Sequence, residues 1–344
     1  MKLLLLADIN SAHTIKWASS LASLGHEIGI CSVSPVAKNW YTDIQGIRFF
    51  QMTGKQRLHS VLNQFKPEIV HAHYATRYGW MGVRSGFHPF LISAWGSDIM
   101  EFPLKSPLHR LFMRYILSKA DQLIATSHLL ENEMQEYTGK QIEIIPFGID
   151  TAVFKPVARR RSELVIGAVK SLEDLYGIDV LIKAFALLCK RMPGSNLKLR
   201  ITGKGSREQA YRKLCAELDI ESAVIFTGWY SFREIPACYR ELDIFVNVSR
   251  RESFGVSVLE AQACGIPVVT SDIKGLKEVS RPGQTGLEVP CDNPQALMEA
   301  LFRLVSDPEL RATMGTKGRL FVTEKYNWES SVIRMQQIYE SFRA

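Results

Sequence analysis

The sequence predicts an α/β protein of two domains, each a doubly wound parallel sheet, and three observations predict it. Continuous apolar runs of strand length recur along the chain, as they do in strands buried on both faces. Stretches of helical spacing separate those runs, the alternation that builds parallel sheets. A turn-rich segment at residues 145–156 interrupts the series near its middle. The length of 344 residues suits two domains, and a hydrophobic content of 46% is enough for two cores.

Residues 3–7 form the first apolar run and predict a buried strand. After a loop at 8–13, Trp17, Ala18, Leu21 and Leu24 follow helical spacing, and Gly25 stops the helix. Strands are expected at 28–33, 69–72, 90–94, 122–126 and 143–145. The junction Ile-Pro-Phe-Gly-Ile-Asp-Thr-Ala-Val-Phe-Lys-Pro follows, and Arg159, Arg160 and Arg161 come after it. A second series then runs strand 164–169, helix 180–192, strand 197–202, helix 207–218, strand 224–227, helix 235–240 and strand 244–247. The boundaries place one domain at 1–155 and a second at 156–325. The last segment, 328–342, reads as a helix with Trp328, Val332, Met335, Ile338 and Tyr339 on its apolar face.

The net charge of +7 is spread along the chain: residues 1–150 hold 14 Lys and Arg against 12 Asp and Glu. That spread suits anionic ligands or a membrane surface. With no basic block interleaved with aromatics, nucleic acid is not expected as a partner. The six cysteines lie far apart without a C-x-x-C pair, so they read as small core residues in a reducing compartment. No window approaches 18 continuous apolar residues, and the N-terminal run meets Asp8 too early for a signal peptide. The expected location is cytoplasmic.

The most informative stretch is Arg251 to Ala263, where Glu252 and Glu260 stand eight positions apart across a loop-to-helix junction. Residues 249–255 are polar, whereas 256–264 look helical and end at Gly265 and Pro267. The amides of Phe254, Gly255, Val256 and Ser257 would then lie at a helix N-terminus, where orphan N–H groups and the positive dipole end favour phosphate. Gly255 removes the side chain that would block close approach. Glu260, about one and a half turns into the helix, can meet a group on one side of such a phosphate, and Glu252 a group on the other. A ligand with a sugar at one end and a ribose at the other fits this spacing.

The run Glu252-Ser-Phe-Gly-Val-Ser-Val-Leu-Glu260-Ala-Gln-Ala-Cys-Gly-Ile-Pro-Val-Val resembles the E-x7-E signature of glycosyltransferase family 4, whose members are retaining enzymes. The resemblance implies the GT-B fold, with two Rossmann-like domains facing across a cleft. It also implies that the final helix, from about 326 to 344, crosses back onto the first domain. It assigns acceptor binding to the first domain and nucleotide-sugar binding to the second. In that family the first Glu contacts the donor sugar and the second the nucleotide ribose. Ser253 to Ser257 would line the phosphate.

Elsewhere the chain both follows and departs from the pattern. The family carries an arginine and then a lysine on the donor phosphates; Lys170 falls at the first place, but Tyr176 occupies the second. Lys204 or Arg251 then compensates, or the helix N-terminus does more of the work. Gly203-Lys204-Gly205 resembles the G-x-G turn below the base, while Gly228, Trp229 and Tyr230 read either as a wall for the base or as packing. Nothing separates uracil from guanine, and family frequency favours UDP. No D-x-D occurs, in keeping with a metal-independent mechanism and no cofactor.

On the acceptor side, Asn10, His13 and Thr14 stand where many members have a glycine pair, and they either face the ligand or cap the helix. His71 and His73 share one side of a strand end; His73 is read toward the cleft and His71 as interior, since a metal would need a third ligand. Trp95-Gly-Ser97-Asp98 resembles a His-Gly-x-Asp loop with Trp95 in the histidine's place, which makes Asp98 or Ser97 the expected polar partner and Asp98 a catalytic candidate beside Glu252 and Lys170. Residues 102–119 are basic and amphipathic, fitting peripheral contact with the inner membrane face for a lipid-linked acceptor, or an ordinary surface helix. Together these departures resemble a subgroup associated with bacterial surface polysaccharides. The expected function is transfer of a sugar from a nucleotide-sugar to a saccharide or lipid-linked saccharide. The alternatives are a UDP-sugar epimerase of the same fold, or an idle nucleotide-binding partner in a polysaccharide complex. G-x-G-x-x-G, G-x-x-x-x-G-K-[ST] and G-x-S-x-G do not occur, which disfavours a dehydrogenase, a P-loop ATPase and an α/β-hydrolase.

Overall fold

Leu3, Leu4, Leu5 and Leu6 expose nothing to solvent, because the strand they form is covered on both faces at the middle of a parallel sheet. The computed structural model describes residues 1–35, 46–52, 58–157, 162–231 and 233–343. Its first sheet is built from β1 Lys2–Leu6, β2 Glu27–Ser32, β3 Ile47–Gln51, β4 Ile69–His73, β5 Phe90–Ser93, β6 Gln122–Ala125 and β7 Ile142–Ile144. The spatial order is β3-β2-β1-β4-β5-β6-β7, and every neighbouring pair is parallel.

The second sheet holds β8 Leu164–Val169, β9 Leu197–Thr202, β10 Val224–Gly228, β11 Ile244–Asn247, β12 Val268–Ser271 and β13 Gly286–Val289. Its order is β10-β9-β8-β11-β12-β13, also wholly parallel. Both are therefore doubly wound α/β sheets. Strand order reverses between β1 and β4 in one and between β8 and β11 in the other, and a crevice opens outside the strand ends at such a point.

Two strands escape the sequence pattern for physical reasons. In β3 only Phe50 is buried, so there is no continuous apolar run to detect. In β13 the first residue is Gly286, where a Cβ would lie 2.1 Å from the Val268 carbonyl oxygen, so the position needs a residue with no strand propensity.

The chain divides into Met1–Phe147 with the segment from Glu329 onward, and Gly148–Trp328. The boundary read from turn residues, 155–156, therefore moves back to 147–148. Arg319 explains the difference, since its guanidinium donates to the Thr151 and Phe154 carbonyls at 3.0 and 2.9 Å and ties these residues to the second unit. Ile149 bridges to Asn327 in the same unit. The triplet Arg159 to Arg161 lies outside the described residues. In the first unit the final helix, Trp328–Glu340, is pinned to the sheet by Tyr339, whose hydroxyl meets His71 Nδ1 at 2.7 Å. Ser331 and Arg334 add bonds to the Pro146 carbonyl and to Glu143, each at 3.0 Å.

Candidate functional site

The second sheet's reversal point decides which loops meet. β8 ends at Val169, so Lys170 emerges at the carboxyl edge, and β11 ends at Asn247, so the loop carrying Glu252 emerges beside it. The Lys170 backbone N–H donates to the Thr202 carbonyl at 3.0 Å, holding it in step with β9. The turn after β9 lies so close that a Cβ on Gly203 would sit 1.8 Å from the Lys170 carbonyl oxygen, at a φ of +144°. Only glycine fits there. Gly205 is similar, 2.4 Å from the Leu172 oxygen.

The Lys170 ammonium forms an ion pair with the Glu252 carboxylate, with side-chain exposures of 12% and 15%. It also rests 5.0 Å from the centre of the Tyr176 ring. The tyrosine that replaces the expected second cation is thus a π-face for the first one. Arg250 fixes the same loop: it bonds both carboxylate oxygens of Asp179 at 3.1 Å, pairs with Asp292 at 2.7 Å, and donates to the Asp174 carbonyl. Gly275 lets the following segment close over the loop, since a Cβ there would lie 1.8 Å from the Glu252 carbonyl oxygen.

Gly255, with φ +85° and ψ +47°, turns the chain into the helix Val256–Ala263. A helix leaves its first amides without intrahelical acceptors, and Ser257 adds a hydroxyl that is buried and unpartnered. The ammonium of Lys170 and this helix end together make a setting for anionic oxygens. Glu260 has a different partner: the Tyr239 hydroxyl donates to its Oε2 at 2.6 Å. Burial first, and the Glu260 charge second, hold the Tyr239 hydroxyl well above its ordinary pKa, so it stays protonated and donates. Gly228 accepts from the Gly203 N–H at 2.9 Å, which sets the turn after β10 beside Gly203-Lys204-Gly205. Lys204 and Trp229 are exposed, and Ser253 and Phe254 complete the loop, Phe254 being buried.

The first unit brings its candidates together around Trp95. That ring lies 5.7 Å from His13, 4.6 Å from His73, 5.6 Å from Tyr74 and 5.3 Å from Phe147. His13 itself stacks on Phe147 at 4.0 Å. Two buried polar atoms of this region, Thr14 Oγ1 and His73 Nδ1, have no partner. Asn10 is engaged locally, its side-chain amide donating to the Pro35 carbonyl at 2.8 Å. Ser11 holds the helix cap position without a side-chain cap bond. Ser97 is exposed.

Asp98 is gripped by backbone amides. Its carboxylate accepts from the amides of Ala75 at 2.7 Å, Gly96 at 2.8 Å and Trp95 at 3.2 Å, and the residue is buried. Burial raises its pKa while those amides oppose the rise. Asp98 therefore positions the Trp95 loop. Tyr239, Arg250 and Gly275 were missed in the sequence, where only the helix 235–240 hinted at the first of them.

The histidines make a testable pH signature. His71 bonds Tyr339 and Ser93 with its two ring nitrogens, and burial lowers its pKa from 6.5 to about 3. Burial, then Lys16, lowers that of His13 to about 4. Both are neutral when folded, whereas the unfolded chain protonates them below 6.5. Stability is therefore fully present above pH 6.5 and falls as pH drops toward the folded values. The urea midpoint of first-unit unfolding is expected to decline between pH 6.5 and 5, before ordinary carboxylates titrate, and to decline less in His71→Gln. A midpoint flat over that range would contradict the buried, neutral assignment.

Two family models match the chain: Glycosyl transferases group 1 over residues 150–321, and Glycosyl transferase 4-like over residues 2–127. The D-inositol 3-phosphate glycosyltransferase of Corynebacterium jeikeium is 30% identical over 302 residues, 79% of this chain and 72% of that one. The chain belongs to the group 1 glycosyltransferases. Another relative of this group 1 glycosyltransferase, the GDP-mannose-dependent alpha-(1-6)-phosphatidylinositol monomannoside mannosyltransferase of Mycolicibacterium smegmatis, is 27% identical over 77% of this chain and 73% of that one. Among solved structures, sucrose-phosphate synthase from Thermosynechococcus elongatus superposes with a TM-score of 0.84 at 22% identity, covering 99% and 98% of the two chains. Anabaena HepE, in complex with UDP and glucose, gives 0.84 at 18% identity over 99% and 100%. At these identities the likeness establishes the fold, which is GT-B with two Rossmann-like parallel-sheet units. The glycosyltransferase is an enzyme of the transferase class.

Proposed function

We propose that this glycosyltransferase takes a sugar from a nucleotide donor, UDP-linked by preference, and transfers it with retention to a saccharide or lipid-linked saccharide in surface polysaccharide assembly. The observation that carries the reading is Lys170, held at the reversal point of the second sheet against Glu252 and beside a helix N-terminus. A nucleoside diphosphate leaving group gains negative charge as the sugar bond breaks. Lys170 and the amides after Gly255 stabilise that charge without a metal ion. Glu252 contacts the donor sugar, Glu260 the ribose, and Lys204, Gly228 and Trp229 flank the base. On the first unit His13, Thr14, His73 and Trp95 face the acceptor. A leaving phosphate oxygen takes the proton of the attacking hydroxyl, so the sugar stays on one face. A lipid-linked acceptor places the enzyme at the cytoplasmic side of a membrane; no helix among the described residues is long and apolar enough to cross one.

Two relatives support different bases, since HepE was solved with UDP and the mycobacterial mannosyltransferase is named for GDP-mannose. Thermal stabilisation by UDP, GDP, ADP and their sugars separates them. A ligand at one hundred times its Kd adds about 2.7 kcal/mol to the stability of the folded state. The expected result is a shift with UDP and with one UDP-sugar. A shift with GDP and its sugar instead would replace the donor, and no shift with any nucleotide would overturn the reading.

A further inference from the structure

The segment from Phe102 to Lys119 keeps an apolar ridge in water that the fold does not use. A 3-10 turn, Phe102–Lys105, leads into the helix Pro107–Ser118. Met113, Ile116 and Leu117 bury one side of that helix completely. On the other side Leu108, Leu111 and Tyr115, spaced to fall on one helical face, are 76%, 59% and 47% exposed, and Leu104 on the preceding turn is 71% exposed. Single exposed leucines are ordinary, but a continuous line of four large apolar residues marks a contact surface.

The charges around the ridge say what covers it. Lys105, Arg110, Arg114 and Lys119 are all exposed, and residues 102–119 contain no Asp or Glu. The cations stay beside the apolar stripe: Lys119 lies 5.4 Å from the Tyr115 ring centre and Lys105 5.8 Å from that of Phe102. Half-buried Trp80 packs on Phe112 at 4.9 Å and reaches Tyr115 at 6.4 Å, so an amphipathic aromatic borders the ridge. A second copy of this chain is disfavoured by symmetry, because a two-fold contact would set these like charges against themselves. An anionic bilayer supplies both missing complements, an apolar layer for the leucines and phosphates for the cations.

We infer that the helix Pro107–Ser118 and its preceding turn form a membrane-docking face that lays Leu104, Leu108, Leu111 and Tyr115 into an anionic lipid surface. The inference deepens the lipid-linked acceptor reading, and rests on it only for its purpose, because lipid binding is measured without turnover or nucleotide.

The test is flotation of the purified full chain with vesicles of phosphatidylcholine alone or mixed with phosphatidylglycerol. Binding is expected only with the anionic mixture and should weaken as salt rises. The double variant Leu108→Asp with Leu111→Asp, whose sites are exposed and spare the core, should lower partitioning by roughly tenfold or more. Arg110→Gln with Arg114→Gln should lower it less and flatten the salt dependence. Absence of flotation with anionic vesicles, from protein that still gains stability with a nucleotide, would overturn the docking face and leave the donor reading standing. Self-association abolished by the leucine variant, without vesicle binding, would also overturn it and assign the ridge to a second copy.

Discussion

Lys170→Ala is expected to lower turnover roughly 10²- to 10³-fold, the usual effect of deleting one preorganised stabiliser of transition-state charge. The residue is held in place before any ligand arrives, its backbone N–H by the Thr202 carbonyl and its ammonium by the Glu252 carboxylate and the Tyr176 ring. Donor affinity should fall less than kcat, because charge on the phosphate grows as the sugar bond breaks. One complication follows from the ion pair. Removing the lysine leaves the Glu252 carboxylate, largely buried in the pair, uncompensated, so part of any loss reflects a displaced Glu252. Lys170→Met with Glu252→Gln separates the two effects, since that pair carries no stranded charge. Initial rates with the donor identified by thermal stabilisation decide the matter. Turnover of Lys170→Ala within a few-fold of the parent would remove the lysine from the leaving-group side.

The strand-and-helix alternation was legible because buried parallel strands write themselves as apolar runs, as Leu3 to Leu6 do. Lys170 was legible because it directly follows such a run. What stayed hidden depends on distances across the fold. Tyr239 lies in a helix of ordinary composition, and its hydroxyl finds Glu260 only because that helix packs on the one carrying the glutamate. Gly275 is unremarkable in sequence, yet a Cβ there would strike the Glu252 carbonyl. Asp98 shows a structural role that the motif did not reveal. A motif-like aspartate next to a loop glycine suggested chemistry, but three backbone amides converge on its carboxylate and use it for structure. Burial separates the two roles, and burial cannot be read from a four-residue motif.

Glu260→Ala is expected to weaken nucleotide binding about 10- to 100-fold, the range for losing hydrogen bonds to a charged group. The same change strands the fully buried Tyr239 hydroxyl, at a cost to stability of about 1–3 kcal/mol. Weaker binding in the alanine variant alone would therefore be ambiguous between a lost ribose contact and a loosened helix. Glu260→Gln resolves it, because the amide oxygen still accepts from Tyr239 while the negative charge that strengthens a bond to a diol is gone. Tyr239→Phe supplies the reverse case: it leaves the Glu260 carboxylate able to reach a ribose but removes the bond that orients it. With a ribose contact, affinity should fall in the order Tyr239→Phe, Glu260→Gln, Glu260→Ala, while the melting temperature of Glu260→Gln stays near the parent's. Affinities that simply track melting temperature across all three variants would reduce Glu260 to a support for Tyr239 and end its assignment to the ribose.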